Sequence, residues 1–260
     1  MLLFFFLATL LGATTAQAGI LYPTIIKKGE HLRPQSNARR SASHGGEPCK
    51  SWQFAIETHN LIDWKTVPNE CELFVGRYLL GDQYAEDSKV VTREAFKFAL
   101  SFNKSYDGFD IWIFAIDETA LSNLPYYASR GFGTEPFDSK AFDKWVKSED
   151  APALSWTLKL YRQLQLLGYK IVFLTGRREY KREATHDNLL VAGYRNWDKL
   201  IHKPSDYNGS ALDYKSDKRQ QLVDAGYRIV GNVGDQWSDL LGTNHGTRNF
   251  KLPNPLYYVI

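Results

Sequence analysis

The feature that most constrains the fold is the stretch at residues 109–119, which reads FDIWIFAIDET. Its first part is a short, continuous run of isoleucine and aromatic residues, which is typical of a central parallel strand buried on both faces. The run ends abruptly at Asp117, Glu118 and Thr119. Because ligands of open α/β sheets bind at the carboxyl ends of the strands, we expect a ligand site beside Asp117. Ala115 precedes Asp117 by two positions and therefore shares its face of the strand.

The remainder of the chain alternates between helix and strand patterns. Helices are predicted at 154–167, 178–191 and 217–225, each closed by a glycine, and strands at 169–174, 199–202 and 227–233. This alternation predicts an α/β fold with a doubly wound, mostly parallel sheet and helices on both of its faces.

Three further segments are predicted to pack against this sheet. Helical spacing of apolar residues predicts two amino-terminal helices at 48–60 and 88–102, packed across the first strand. The segment 121–150 contains proline, glycine and aromatic residues and is long for a simple connection, so it predicts a small cap over the strand ends.

Polar residues follow two more of the predicted strands and one precedes a predicted helix. Thr175 and the backbone N–H groups around it suit an oxygen of phosphate, although Thr-Gly at a strand end is also an ordinary turn. Lys215, placed just before the helix predicted to begin near Asp217, can neutralise a phosphoryl group, whereas a lone exposed lysine more often belongs to the surface. Asp235 and Asp239 follow the last predicted strand, and carboxylates are ligands that Mg²⁺ prefers. The alternative for Asp235 is that it caps the next turn.

The motif FAIDETALSNLPYY at 114–127 resembles the first motif of the plant acid phosphatases of the haloacid dehalogenase superfamily, a class B acid phosphatase-like group. It is especially similar to their relatives, the vegetative storage proteins of leaves and stems. The sites around Asp117, Thr175, Lys215 and Asp235 match the four motifs of that superfamily in order and approximate spacing. The resemblance extends from about Cys49 to the end of the chain.

The resemblance implies a role for each matching residue. Asp117 would be the general acid–base and would offer its backbone carbonyl to Mg²⁺, Thr175 would hydrogen-bond the phosphoryl group, and Lys215 would balance its charge. Asp235 would ligate the metal, and Asp239 would help to hold that shell. The enzymes carry a nucleophilic aspartate where this chain has Ala115. The substitution removes both the group that attacks phosphorus and one carboxylate ligand of Mg²⁺, which implies weak metal binding and little or no phosphatase activity.

Three functions follow as hypotheses. The first is a vegetative storage protein with an acid phosphatase fold. The second is a weak Mg²⁺-dependent acid phosphatase acting on phosphate monoesters, and the third is a protein that binds phosphate or a phosphometabolite. The family resemblance also implies a homodimer or heterodimer. With 32 basic and 29 acidic residues, the formal net charge of +3 does not favour a nucleic acid or an anionic membrane as a partner.

The amino terminus predicts entry into the secretory pathway, with the vacuole or the extracellular space as destination. Residues 1–18 combine an apolar core at 2–11 with a small-x-small cleavage site, the pattern of a signal peptide, and the core is too short to span a bilayer. Residues 19–46 are predicted to be a flexible lead-in, and 47–260 a single acid phosphatase-like α/β domain.

Two covalent features are expected of a secreted chain. The pair Cys49 and Cys71 favours a disulfide, because two thiols with His59 as the one nearby imidazole cannot complete a tetrahedral metal shell. Asn103 and Asn208 each begin a glycosylation sequon.

Overall fold

The computed structural model of the protein describes residues 46–260. The predicted signal peptide at 1–18 and residues 19–45 of the predicted lead-in lie outside the described residues. Within them, five strands form one parallel sheet in the order β3-β2-β1-β4-β5. The strands are β1 (Asp110–Phe114), β2 (Lys170–Arg178), β3 (Lys199–Lys203), β4 (Arg228–Gly234) and β5 (Arg248–Lys251).

Helices occupy the connections between the strands and the segment before β1. In chain order they are α1 (Gly46–Glu57), α2 (Glu72–Leu80), α3 (Asp82–Ser101), α4 (Leu124–Ala128), α5 (Ser139–Lys147), α6 (Ser155–Leu166), α7 (Arg182–Val191), α8 (Ala211–Asp224) and α9 (Trp237–Leu240). The described residues also form short 3₁₀ turns at Asn69–Cys71, Gly131–Gly133 and Glu179–Lys181. None of these helices has the length and apolar character that crossing a bilayer demands.

The central strand β1 is buried along its whole length, as its continuous apolar run predicts. Trp112 and Phe114 face a core that also contains residues of α3, α6 and α7, whereas Ile111 and Ile113 face a second core beneath α8. Helices therefore cover both faces of the sheet, which confirms the predicted doubly wound α/β fold.

Gly231 shows how tightly the first of these cores is packed. The indole of Trp112 stacks on Phe250 with ring centroids 5.6 Å apart. A Cβ atom at position 231 would lie 2.4 Å from that indole, so only glycine fits on β4 at this point. The pairing of β1 with β4 also shifts register between Ile111 and Trp112.

Several predicted boundaries were wrong. Helix α3 begins at Asp82, not at 88, and α8 begins at Ala211, so Lys215 lies inside a helix and not before it. Strand β2 continues to Arg178, so Thr175 lies within the strand and not after it. Helix α1 ends at Glu57, not at 60, so His59 lies outside it. His59 has a φ of 62°, and its ring stacks on that of Trp237 with centroids 4.5 Å apart.

The amino-terminal helices and the predicted cap share a third core. The cap consists of α4, the turn Gly131–Gly133 and α5, and its aromatic residues pack against α1 and α2. Cys49 and Cys71 lie in this core and form a disulfide with a Cα–Cα distance of 5.4 Å, which confirms the predicted bond. The disulfide ties α1 to the start of α2.

Replacing Cys49 and Cys71 together by alanine should destabilise the protein by about 3 kcal/mol, because the bond closes a loop between residues 22 positions apart. For a chain of this size we expect the melting temperature to fall by roughly 6–12 °C. Scanning calorimetry of both proteins, with and without reductant, checks this. Reductant should lower the melting temperature of the wild-type protein alone. Equal melting temperatures for wild type and variant in the absence of reductant would contradict the expectation.

Both sequons lie on exposed loops. Asn103 follows α3, and Asn208 lies between β3 and α8, and both side chains are exposed. Each position is therefore accessible to a glycosyltransferase, and glycosylation of either residue stays a prediction.

Candidate functional site

The carboxyl ends of β1 to β4 surround one cavity of about 620 Å³. All the residues for which the sequence predicted a chemical role line this cavity: Ala115, Asp117, Thr175, Lys215, Asp235 and Asp239. The cap contributes Tyr127 and Phe142 to its wall, and the carboxyl-terminal segment contributes Tyr257 and Tyr258. The predicted convergence of these residues on one edge of the sheet is thus observed, while their roles remain predictions.

Ala115 occupies the position directly after β1. Its backbone N–H donates to the carbonyl of Val233 at 2.9 Å, which holds it against β4, and the residue is 6% exposed. A methyl group has no lone pair, so this side chain can neither attack phosphorus nor ligate a cation. Because Ala115 lines the cavity beside Asp117, a larger side chain at this position would enter the same cavity.

Asp117 is held by two neighbours. The guanidinium of Arg177 donates to its carboxylate through Nη2 at 2.8 Å and Nε at 3.1 Å, and Asn123 donates to the same oxygen at 2.8 Å. Burial alone would raise the pKa of Asp117, but the charge and hydrogen bonds of Arg177 and the amide of Asn123 outweigh it and lower that pKa. Asp117 is therefore ionised in this arrangement.

Glu118 lies in the sharp turn after β1, with a φ of 48°. Its carboxyl group accepts hydrogen bonds from the backbone N–H of Asn123 at 2.6 Å and from the hydroxyl of Tyr257. The side chain is buried, and burial together with the nearby charges of Asp117 and Asp235 raises the pKa of Glu118 to about 8. Glu118 is therefore protonated at mildly acidic pH.

Because the pKa of Glu118 is higher in the folded chain than in the unfolded chain, this group should lower stability progressively as the pH rises from about 4.5 to about 8. Glu118→Gln replaces the titrating carboxyl group by an amide. We expect it to abolish a loss in the free energy of unfolding on the order of 3 kcal/mol between pH 5 and pH 8. Urea unfolding of both proteins at the two pH values measures this. The same loss in wild type and variant would show that other groups cause it.

Lys215 and Asp239 form a buried ion pair, with Nζ 2.6 Å from Oδ1. The second oxygen of Asp239 accepts the backbone N–H of Gln236 at 3.1 Å, so Asp239 caps α9 as well as binding the lysine. Gln236, and not Asp235, is the amino-terminal cap residue of this helix. Thr175 is also buried, and its hydroxyl accepts the backbone N–H of Arg177 at 3.1 Å.

Both oxygens of Asp235 already accept hydrogen bonds from the protein. Thr119 donates to Oδ1 at 2.8 Å, and Gln236 and Asn254 donate to Oδ2 at 2.9 and 2.8 Å. Burial and the charge of Asp239 nevertheless raise the pKa of Asp235 to about 6. Asp235 is thus a well-anchored carboxyl group at the floor of the cavity.

This donor set does not fit a tightly bound Mg²⁺ ion. Within residues 46–260, no group of three or more histidine, cysteine or acidic side chains converges in a way that could hold a metal. The carboxylates of Asp235 and Asp239 are engaged by protein donors, and Ala115 supplies no oxygen. Mg²⁺ is usually bound through one or two carboxylates and several waters, so the oxygen missing at position 115 weakens such a site.

Sequence reasoning missed several residues that hold the site together. Arg177, Asn123 and Glu118 lie next to or within the motifs, but their pairings depend on contacts across the fold. Asn254 and Tyr257 reach the site from the carboxyl-terminal segment, 19 residues from Asp235 and 139 residues from Glu118 along the chain. No local pattern indicates such contacts.

Comparison with solved structures supports the fold. The class C acid phosphatase from Bacillus anthracis superposes with a TM-score of 0.60 at 19% sequence identity, covering 73% of this chain and 86% of that one. At this identity the likeness concerns the fold alone.

Comparison with known sequences identifies the family. The tomato (Solanum lycopersicum) protein named Acid phosphatase 1 is 50% identical over 82% of this chain and 84% of its own length. The soybean (Glycine max) Stem 28 kDa glycoprotein is 43% identical over 99% of this chain and 98% of its own. Vegetative storage protein 1 of Arabidopsis thaliana is 44% identical over 81% and 78%. Residues 34–260 match the sequence model described as HAD superfamily, subfamily IIIB (acid phosphatase). The chain therefore belongs to the acid phosphatases of subfamily IIIB of the haloacid dehalogenase superfamily.

Proposed function

We propose that this protein is a vegetative storage protein that uses the acid phosphatase fold and has little or no phosphatase activity. The observation that carries the proposal is that Ala115 lines the cavity beside Asp117. By the resemblance of its motif, this is the position where the enzymes of the superfamily carry their nucleophile. Relatives named vegetative storage protein and stem glycoprotein support the storage role. In this role the value of the protein lies in its amino acids, as a reserve of nitrogen.

We infer that the cavity takes a phosphate monoester, because Thr175 and Lys215, which match the phosphate-binding positions of the family, both line it. Lys215 would balance the phosphoryl charge and Thr175 would donate a hydrogen bond to it. Arg177 holds Asp117 in its ionised form at the edge of this site. With alanine at 115, the described residues offer no carboxylate at that position to attack phosphorus and displace the leaving group.

We infer weak Mg²⁺ binding. Acid phosphatases of this superfamily are typically metal-dependent. In this chain the backbone carbonyl of Asp117 and the carboxylate of Asp235 would hold the ion, with Asp239 in support, but the oxygen that an aspartate at 115 would supply is missing. When bound, Mg²⁺ would offset the negative charge of the phosphoryl group.

A weak acid phosphatase is the second candidate. The ionised Asp117, which Arg177 and Asn123 hold at the edge of the cavity, favours it because a carboxylate there can accept a proton from an attacking water. Turnover of a phosphate monoester that is lost in Asp117→Asn would support this candidate. The absence of metal-dependent turnover above the blank would eliminate it.

The remaining assignments follow from the resemblance and the amino-terminal pattern. We infer delivery through the secretory pathway to the vacuole or the extracellular space, glycosylation at Asn103 or Asn208, and assembly into a homodimer or heterodimer. Mass spectrometry and size-exclusion chromatography of the protein purified from plant tissue would test cleavage, glycosylation and assembly together.

The storage role is tested by protein abundance. In the source tissue, the share of this chain in total soluble protein should rise when nitrogen is plentiful and fall when the supply is withdrawn. Quantitative immunoblotting across such a series measures it, with a housekeeping enzyme as the control. A constant share throughout would contradict storage.

Phosphate binding is tested by calorimetry. We expect inorganic phosphate to bind the purified protein at pH 5–6, with little change when Mg²⁺ is added. Thr175→Val preserves the shape of the side chain and removes its hydroxyl, so it should weaken binding about tenfold. No heat of binding with or without Mg²⁺ would contradict the proposed phosphate site.

A further inference from the structure

Lys203 is a cation of the cavity that has no anionic partner in the described residues. It is the last residue of β3, lines the cavity and is partly buried. Its ammonium makes no ion pair or hydrogen bond with the part of the chain from 46 to 260. Three other cations of the cavity are each paired with a carboxylate: Arg177 with Asp117, Lys181 with Asp143 and Lys215 with Asp239.

Arg178 adds a second positive charge to the same wall. One nitrogen of its guanidinium donates to the backbone carbonyls of Pro204, Ser205 and Tyr207 at 3.1, 2.8 and 2.7 Å. These bonds fix the loop that follows Lys203, but they cancel no charge. Among the described residues, no carboxylate pairs with Arg178, so this wall carries two uncompensated cations.

The electrostatic environment of Lys203 is correspondingly unfavourable. Burial lowers the pKa of Lys203, and the positive charges of Arg178 and Lys215 lower it further. The two charged side chains that lower this pKa are thus both cations. An anion bound against Lys203 would relieve their mutual repulsion, and partial burial would strengthen its attraction.

We propose that Lys203, supported by Arg178, forms a second anion subsite in this cavity. The subsite would take a negatively charged group on the organic part of a phosphate monoester whose phosphate lies between Thr175 and Lys215. The ligand class is therefore a phosphate monoester that carries a second anion, a carboxylate or another phosphate. This inference rests on the proposed phosphate site and names the ligand that the site prefers.

The dimensions and walls of the cavity suit such a ligand. Its volume of about 620 Å³ is in the range of small-molecule sites. Tyr127 and Phe142 of the cap offer an apolar wall for the carbon skeleton between the two anionic groups. A ligand with an aromatic spacer is therefore a suitable probe.

Calorimetry with paired probes tests the subsite. The probes are 4-methylphenyl phosphate, which has one anionic group, and the 3- and 4-carboxyphenyl phosphates, which have two. We expect wild type to bind at least one carboxylated probe about tenfold more tightly than the methyl probe. Raising NaCl from about 50 to about 500 mM should reduce this preference.

Substitutions at Lys203 should alter the preference alone. Lys203→Gln should remove it while leaving the affinity for the methyl probe within about twofold, and Lys203→Arg should retain it. Lys199→Gln, at the exposed opposite end of β3, is the matched control and should behave as wild type.

Two results would overturn the inference while leaving the phosphate site intact. One is equal affinity of wild type for all three probes. The other is an equal loss of affinity for all three probes in Lys203→Gln, which would place Lys203 at the phosphate itself. Binding of none of the probes would overturn the proposed phosphate site and the subsite together.

Discussion

Ala115→Asp is expected to turn this protein into a phosphatase. Hydrolysis of p-nitrophenyl phosphate near pH 5 with Mg²⁺ should rise by at least about a thousandfold over wild type, because loss of a nucleophile typically costs on the order of 10⁴–10⁶ in rate. The new carboxylate would enter the cavity beside Asp117 and would supply both an attacking group and an oxygen for the metal. Initial rates over a range of Mg²⁺ concentrations measure the effect.

Two further variants show whether the gain is chemical. Ala115→Asn has nearly the size and polarity of the aspartate but cannot form the covalent intermediate, so it should stay as inactive as wild type. Asp117→Asn in the Ala115→Asp background should lose most of the gain, because the proton acceptor is removed. A folded Ala115→Asp protein that binds phosphate but does not hydrolyse the ester would contradict the assignment of position 115.

Lys215→Met is expected to cause the largest loss of stability among substitutions in the cavity. Lys215 and Asp239 are both buried and form an ion pair at 2.6 Å. Removing the lysine leaves a buried carboxylate without its cation, which typically costs about 3–5 kcal/mol. Urea unfolding at pH 7 should show this as a lower midpoint with an unchanged dependence on denaturant.

The double variant Lys215→Met, Asp239→Asn separates loss of the charge pair from loss of packing. An asparagine still accepts the backbone N–H of Gln236 but carries no charge, so the double variant should recover at least half of the lost stability. If the double variant is as unstable as Lys215→Met, or if the single substitution costs less than about 1 kcal/mol, the buried pair does not have the importance assigned to it.

The sheet and the convergence of the site residues could be predicted from the sequence because strong local patterns specify them. The continuous apolar run of β1 has no good alternative to a buried strand. Once the strands are parallel, Asp117, Thr175 and Asp235 must meet at one edge, since each lies near the carboxyl end of its strand. The disulfide between Cys49 and Cys71 could be predicted because the chain contains two cysteines, which leaves one possible pair.

Weak or non-local signals explain what could not be predicted. Strand β5 has four residues of mixed polarity and pairs with β4 alone, so it has neither an apolar run nor a clear alternation. Helix α8 begins at Ala211 because Ser210 caps it by accepting the N–H of Asp213. The preceding Asn-Gly pair is typical of a turn, so the sequence carries no clear sign that a helix begins there. The pairing of Arg177 with Asp117 joins residues 60 positions apart.

Turnover of p-nitrophenyl phosphate by the purified wild-type protein is the most direct test of the central claim that this acid phosphatase fold lacks its nucleophile. The assay would run near pH 5 with and without Mg²⁺, beside Ala115→Asp as the positive control. We expect a rate indistinguishable from the blank for wild type, with measurable turnover in the variant. A wild-type rate that depends on Mg²⁺, disappears in Asp117→Asn and gains little from Ala115→Asp would contradict it, because another residue would then have to carry the reaction.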